Sequence, residues 1–484
     1  MKDLTARALN LAELRGATYA DIRVVSRDTQ SVAVKNEEIE GLHQDQTQGF
    51  GVRVIVNGAW GFASSSRIEA AEVERVVTQA VAVAHASAQT KIRDVNIGHP
   101  IAVQATYQTP VTINPFSVSA AEKIDLLSKS SAEMRRVKGV QVARGFIACS
   151  REGKTFASTE GSYITQEIVE CGCGIVALAT DLQTGEVQVR SYPNSGGRHH
   201  QALGYEFILA QELAENAGRI GTEAVALLAA DQCPSFDAMA IILDGAQLAL
   251  QVHESCGHPI ELDRVLGSEA AHAGTSFLTP DRLGNFRYGS EVVNITADAS
   301  IPGGLGTFGY DDEGVLAQKT DIVKNGIFVG YLTSRETAQQ IGLGSSNGTM
   351  RADGWGHAPI IRMTNISLLP GTWDVNDMIA DTDEGLWMET SRSSSIDDKR
   401  LNFQFGTELA WEIRGGKKTR MLKNATYTGI TPHFWGACDA VGNAKSWAMW
   451  GTASCGKGQP HQMAYTGHGA APARFRNVRV GVIK

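Results

Sequence analysis

The chain has 484 residues, is 43% hydrophobic and carries a formal net charge of −8. It is long enough for two or three buried cores. Being acidic, with a pI near 5.9, it lacks the clustered Lys and Arg of a phosphate-reading surface, so no nucleic-acid partner is expected. No apolar run of about 18 residues marks a membrane helix, and Met1-Lys-Asp-Leu-Thr5 lacks the apolar core of a signal peptide. Seven cysteines without a dense framework suit a reducing compartment, so a cytoplasmic protein with no membrane partner is expected.

Residues 4–14 read as a short helix, and Ala20–Val34 and Gly49–Phe62 as strands. The second strand alternates Phe50, Val52, Val54 and Val56 before an Asn57-Gly58 hairpin turn. Ser66-Arg-Ile-Glu69 has the form of a capping box opening an Ala/Val-rich helix to about Ala88. Ser119-Ala-Ala-Glu122 has the same form ahead of a helix to about Arg136. Three prolines and little periodicity in 89–116 mark the exit of a first module, assigned to 1–100. A central module, 101–231, continues with strand-like sequence from Gly139 to Arg190. A polar stretch, Ser191–His200, then reads as a mobile loop ahead of a helix from Tyr205 to Ala229. His199 and His200 have no acidic or cysteine neighbour there and read as solvated; Cys171 and Cys173 alternate along a strand and read as buried apolar residues.

The remaining segment, 232–484, is expected to be mostly strand. Ala238–Leu243 suits a buried strand, and Asp244-Gly-Ala-Gln247 caps a short helix carrying Leu248, Leu250 and Val252 into His253-Glu-Ser-Cys-Gly-His258. Two imidazoles and one carboxylate within six residues are the parts of a zinc hydrolase: neutral imidazoles hold the metal, and an unligated carboxylate takes a proton from water. The familiar zincin spacing is four, whereas His253 and His258 are five apart. Five steps leave two side chains roughly 140° apart on a regular helix. The helix is therefore expected to end or bulge between Glu254 and His258, with Gly257 and Pro259 pushing His258 out of helical dihedrals. Cys256 is expected to pack beneath the site. Glu261 and Asp263 are candidates to fix an imidazole tautomer, with a surface ion pair as the alternative.

Further on, glycine-rich Ile301–Gly309 lacks the Lys-Ser/Thr ending of a phosphate loop and reads as flexible backbone beside a cleft. Asp311-Asp-Glu313 is too compact for an EF-hand and reads as a tight acidic turn. Asn325-Gly326 signals a hairpin. A catalytic zinc keeps three protein ligands and a water, so a third ligand must be found. Ser454-Cys-Gly-Lys-Gly-Gln-Pro460 offers Cys455 in a glycine-rich turn beside a lysine.

These segments resemble the TldD/PmbA metallopeptidase family, in particular its metal-binding TldD-type members. The match is carried by His253-Glu-Ser-Cys-Gly-His258, Gly309-Tyr-Asp-Asp-Glu-Gly314, Pro359-Ile-Ile-Arg-Met-Thr-Asn365, Cys455-Gly-Lys-Gly-Gln459 and, near the start, Gly58-Ala-Trp-Gly-Phe-Ala63. The resemblance implies that His253, His258 and Cys455 bind zinc and that Glu254 is the general base. It further implies hydrolysis of unfolded or flexible peptides in a cleft shielded by dimerisation, as a homodimer or as a heterodimer with a metal-free paralogue. A strand-rich domain suits an extended peptide substrate held by its backbone. The alternative is a non-catalytic partner or scaffold subunit with a structural metal site. The expected fold class is α+β: an N-terminal α/β module with a twisted sheet and long helices, then a strand-rich catalytic domain carrying a short metal-binding helix.

Overall fold

The structure is a computed structural model that describes residues 1–481. Its first half is built on one sheet. Helix α1 (Lys2–Leu14) leads into β1 (Tyr19–Lys35), β2 (Glu38–Val56), β3 (Ala59–Ser65), α2 (Ala70–Ala88), β4 (Gln104–Gln108) and α3 (Ala120–Arg135). There follow β5 (Val140–Ser158), β6 (Tyr163–Thr180), β7 (Val187–Tyr192), β8 (His199–Gln201), α4 (Tyr205–Leu209) and α5 (Leu213–Ala229). The strand order is β3-β2-β1-β5-β6-β4, with β7 and β8 also on β6, so one sheet draws on both of the first two sequence segments. Helices α1 and α2 cover the β1–β3 end through Ala8, Val73, Val76 and Val77; α3 and α5 cover β5 and β6 through Leu127, Met134, Ile220 and Ala224.

Local chemistry explains most of these boundaries. Asn57 and Gly58 have φ of 49° and 70°, the positive pair that a two-residue hairpin of this twist requires, and Asn325-Gly326 repeats it at 49° and 76°. The Ser119–Glu122 capping box forms in full. The Ser66–Glu69 box does not. Helix α2 begins only at Ala70, and Glu72 instead gathers Ser65, Arg67 and Arg75 around its carboxylate. The expected single helix from Tyr205 is two, broken where Glu212 turns left-handed at φ 47°.

The polar stretch before it is not the expected loop. His199 and His200 form β8 against β6 and are only 6% and 8% exposed. Gly172 on β6 makes room for them, since a side chain there would collide with the His200 ring. The His199 ring packs between Phe207 and Trp450, each at 5.2 Å, and burial holds its pKa down to about 3. Both histidines are neutral packing elements, as Cys171 and Cys173, fully buried, also are.

The second half begins with β9 (Asp231–Gln232), β10 (Phe236–Leu243) and α6 (Gly245–Val252). Strand β10 pairs in parallel with Glu384–Ile396 on one side and antiparallel with Ala473–Val480 on the other. Ala473–Val480 continues to Thr426–Ile430, that strand to Asn402–Arg414, and the last back to Glu384–Ile396, so the pairing closes on itself as a barrel. A four-stranded sheet containing Ile295–Asp298 and Ile366–Leu368 lies to one side, and a hairpin of Ala448–Lys457 with Gln462–Ala470 carries Cys455. The molecule is therefore α+β, with strands dominating the second half. Among the described residues no helix is long and apolar enough to cross a membrane.

The two halves meet through buried charge. Asp312 lies 3.4 Å from Arg23 and 2.7 Å from Lys154; Arg53 bridges Asp21 and Glu313; Arg335 and Glu160 pair at 2.8 Å. The segment 311–313 does turn, but it is buried between the halves and clamps them together. Beside the clamp lies a cavity of about 300 Å³ lined by Arg27, Glu170, Arg351 and Tyr465 among others. Burial, with the charge of Glu152 added, pushes the Glu170 carboxyl from 4.5 up to about 7. A raised acid holds its proton more tightly folded than unfolded. Its stabilising contribution is present below pH 4.5 and is lost as pH rises through about 7. Glu170→Gln is expected to raise Tm by about 2 °C or more at pH 8 and by less at pH 5, read by scanning calorimetry. Equal shifts at both values would refute the sign.

Candidate metal centre

Strand β10 delivers the chain to Asp244, whose carboxylate accepts from the Gln247 backbone N–H at 2.8 Å and starts α6 as the sequence indicates. The helix then changes pitch. Residues His253–Gly257 form a single π turn closed by the His258 N–H on the His253 carbonyl, and His258–Ile260 tightens into a 3-10 turn. A π turn brings residues five apart onto one face, so His253 and His258 meet although a regular helix would separate them. The bulge lies where the spacing requires it, but its form differs from expectation: His258 keeps helical dihedrals, φ −67° and ψ −42°. Gly257 is helical too, and its lack of a side chain serves packing, because a Cβ there would collide with Met363 Sδ. The irregular turn is held by Tyr288, whose hydroxyl donates to the Ser255 carbonyl at 2.9 Å, and by Trp435 Nε1, which donates to Ser255 Oγ at 2.9 Å.

Cys455 reaches this turn from the C-terminal hairpin. Ligand atoms of His253, His258 and Cys455 all lie within 4.8 Å of one another, and all three residues are buried. The rings of His253 and His258 stand at 89° with centroids 4.9 Å apart, and Cys455 Sγ is 3.6 Å from His258 Nε2. Nitrogen at about 2.05 Å and sulfur at about 2.3 Å on a tetrahedral zinc are separated by roughly 3.5 Å, so the donor set fits such an ion. Arg362, in the Pro359–Asn365 segment, is buried and donates to the carbonyls of Gln462 and Cys455, tying both hairpin strands in place.

The surroundings orient each donor. His258 Nδ1 is 2.9 Å from Glu261 Oε2, which leaves Nε2 for the metal; Glu261 is fully buried, so the surface ion pair is excluded for it. Asp263 instead takes Lys457 Nζ at 2.6 Å and an N–H of Ile361. Burial disfavours charge on Cys455, but His258 and Arg362 beside it outweigh burial and lower the thiol pKa, the direction that favours thiolate. Burial likewise opposes charge on His258, yet Cys455 and Glu261 outweigh it and raise its pKa. Cys256, beneath the turn, stays outside the donor group, its thiol pushed up to about 12 by burial.

Glu254 stands beside the donors without joining them. Its Oε2 is 2.5 Å from Arg400 Nη1, and the pair is partly open to solvent. Burial acts to raise its pKa, but His253, His258 and Arg400 outweigh it, so the group is a carboxylate. Motif reading misses Arg400 and His468, and it gives Arg362 no role although the Pro359–Asn365 segment contains it. His468, fully buried, lies 2.8 Å from His253 Nδ1. Glycine-rich Ile301–Gly309 is pinned rather than flexible: Gly306 N–H donates to Asn365 Oδ1, and Asn365 Nδ2 donates to Thr307 Oγ1.

Comparison with known proteins shows which family the chain belongs to. Residues 237–482 match the PmbA/TldA metallopeptidase C-terminal domain, 20–84 its domain 1 and 113–230 its central domain. A protein named as a metalloprotease from Methanocaldococcus jannaschii is 31% identical over 85% of this chain and 86% of its own. The chain belongs to the PmbA/TldD metallopeptidase family. Another relative, a metalloprotease TldD homologue from Buchnera aphidicola, is 27% identical over 86% of this chain and 83% of its own. Among solved structures, TldE from Thermococcus kodakarensis superposes with a TM-score of 0.72 at 16% identity, covering 99% of this chain and 100% of that one. A Thermotoga maritima chain described as a candidate modulator of a DNA gyrase gives 0.77 at 17% identity, covering 99% and 100%. At those identities the likeness shows the family's fold.

Proposed function

We propose that the protein is a zinc-dependent peptidase acting on unfolded or flexible peptides, with His253, His258 and Cys455 as metal ligands and Glu254 as general base. The observation that carries this reading is the convergence of two imidazoles and a thiol on one point with a carboxylate beside them that is not a donor. A metal held there supplies Lewis acidity, acidifying water and polarising the scissile carbonyl. Glu254 accepts the proton of the attacking water and passes it to the leaving amine. His258 and Cys455 are fixed for their task before substrate arrives, by Glu261 and by Arg362 through the hairpin backbone.

Three protein ligands favour catalysis over a structural clip, because structural zinc takes four and only three converge among the described residues. Along α6 runs a groove of about 550 Å³, with Ala246 and Leu250 on one wall and Ser393 and Thr452 among the others. Ser454, next to Cys455, also lines it, and walls built from strand residues suit an extended chain. Cys455→Ala is expected to lower zinc affinity by about 100-fold or more and to abolish hydrolysis of fluorescein-labelled casein. Hydrolysis by the parent that persists in a strong chelator, or full zinc affinity in Cys455→Ala, would sink the reading.

A further inference from the structure

His253 can bind a metal through Nε2 only if its single ring proton sits on Nδ1, and the structure shows what holds it there. His468 lies on the strand Gln462–Ala470 and has no exposed surface. Its Nδ1 is 3.1 Å from the Ile366 carbonyl. A carbonyl only accepts, so Nδ1 of His468 carries hydrogen, and in the neutral ring its Nε2 is an acceptor. That Nε2 lies 2.8 Å from His253 Nδ1 and 3.2 Å from Thr466 Oγ1. His253 Nδ1 therefore donates, and Nε2 is the ring nitrogen left with a bare lone pair to offer in the group that His253 forms with His258 and Cys455.

We propose that His468 is a positioning residue which fixes the tautomer and ring orientation of His253 for metal binding. The proposal rests on the reading of His253, His258 and Cys455 as a metal site. It gives the two ligand imidazoles different acceptors: His258 is oriented by the Glu261 carboxylate, and His253 by a neutral ring. The difference has an electrostatic rationale. Glu254 and Glu261 are each already matched by a cation, Arg400 and Lys457, and a third buried carboxylate would need another where a neutral imidazole needs none. The position is spatially exacting. Gly467 and Gly469 flank His468, and a side chain at either would collide, with Asn365 Oδ1 or the Trp447 ring respectively, so the strand is pressed close enough for the two rings to meet.

The test uses the full-length chain stripped of metal and titrated with Co²⁺ and Zn²⁺ against a competing chelator, with the Co²⁺ visible bands as a report of ligand geometry. His468→Ala is expected to weaken affinity by roughly 10–100-fold with the far-ultraviolet circular dichroism of the parent, and His468→Gln, whose side-chain oxygen can accept the same hydrogen bond, to recover part of the loss. Affinity within about threefold of the parent in His468→Ala overturns the proposal. Long-range ¹H–¹⁵N spectra of the histidine rings in the metal-free parent give a second readout that needs no variant. A proton on His253 Nδ1 supports the proposal, and a proton on Nε2 alone overturns it. A parent with the Nδ1 proton that binds neither ion would sink the metal-site reading while leaving the tautomer assignment in place.

Discussion

Glu254→Gln is expected to keep the metal content of the parent and lose peptide hydrolysis, with kcat lower by roughly 10²–10⁴-fold. The reason lies in position. Glu254 is outside the group of three donor atoms, and among the described residues its only ion-pair partner is Arg400, so an amide of the same shape removes the base without removing a ligand. The amide oxygen still accepts from Arg400, so the local fold is retained. Metal content by plasma emission and turnover of labelled casein, measured on both proteins, decide the matter. A variant with unaltered turnover sinks the base assignment; a parent with bound zinc and no turnover on any unfolded peptide returns the case to a scaffold subunit with a structural ion.

Asp312→Ala is expected to be the most destabilising single change at the junction of the halves, costing about 3–5 kcal/mol. Asp312 is 1% exposed and is the shared partner of Arg23 and Lys154; its loss leaves Arg23 charged and buried without that carboxylate, and Lys154 with Glu152 at the longer distance of 3.6 Å. A surface pair such as Arg414 with Glu384, at 59% and 67% exposure, offers the contrast and is worth about 1 kcal/mol at most. The same junction has a pH signature. Burial acts to raise the Asp312 pKa, but Lys154 and Arg23 outweigh it and hold it below the ordinary 3.8. Its contribution is thus present above pH 3.8 and is lost as pH falls through the lower folded value. Chemical denaturation at neutral pH checks the magnitude, and a loss below about 1 kcal/mol would show that water or rearrangement relieves the orphaned cations.

Much of the site is legible in the chain because it depends on local chemistry. The Asp244 cap, the irregular turn between the two histidines, the hairpins at Asn57 and Asn325 and the Ser119 box all follow from residues within a few positions of one another. What stays hidden depends on partners distant in sequence. Whether His258 leaves the helix or rides a π turn is decided by Met363, Tyr288 and Trp435, and no local propensity encodes them. His199 and His200 are polar in composition yet buried, because Gly172 opens a gap for them on a neighbouring strand. Asp311–Glu313 has the composition of a surface turn, and its cationic partners Arg23, Arg53 and Lys154 all come from the other half. His468 did leave a signal: a histidine bracketed by glycines in a strand marks close approach of backbone on both sides. Arg400 left none.

The closure of the barrel sets an order on how this molecule comes into being. Strand β10, which leads directly into the histidine turn, lies between Glu384–Ile396 and Ala473–Val480, so one side of its ladder stays open until the last of these is synthesised. The thiol arrives almost as late, 197 positions after His258. A nascent or truncated chain that ends before the final hairpin thus holds both imidazoles without the third donor and without the strand that braces them. Under the proposed function, a hydrolase of unfolded polypeptide cannot act on its own unfinished chain, because the site is incomplete until the hairpin that carries Cys455 and the strand Ala473–Val480 have been made.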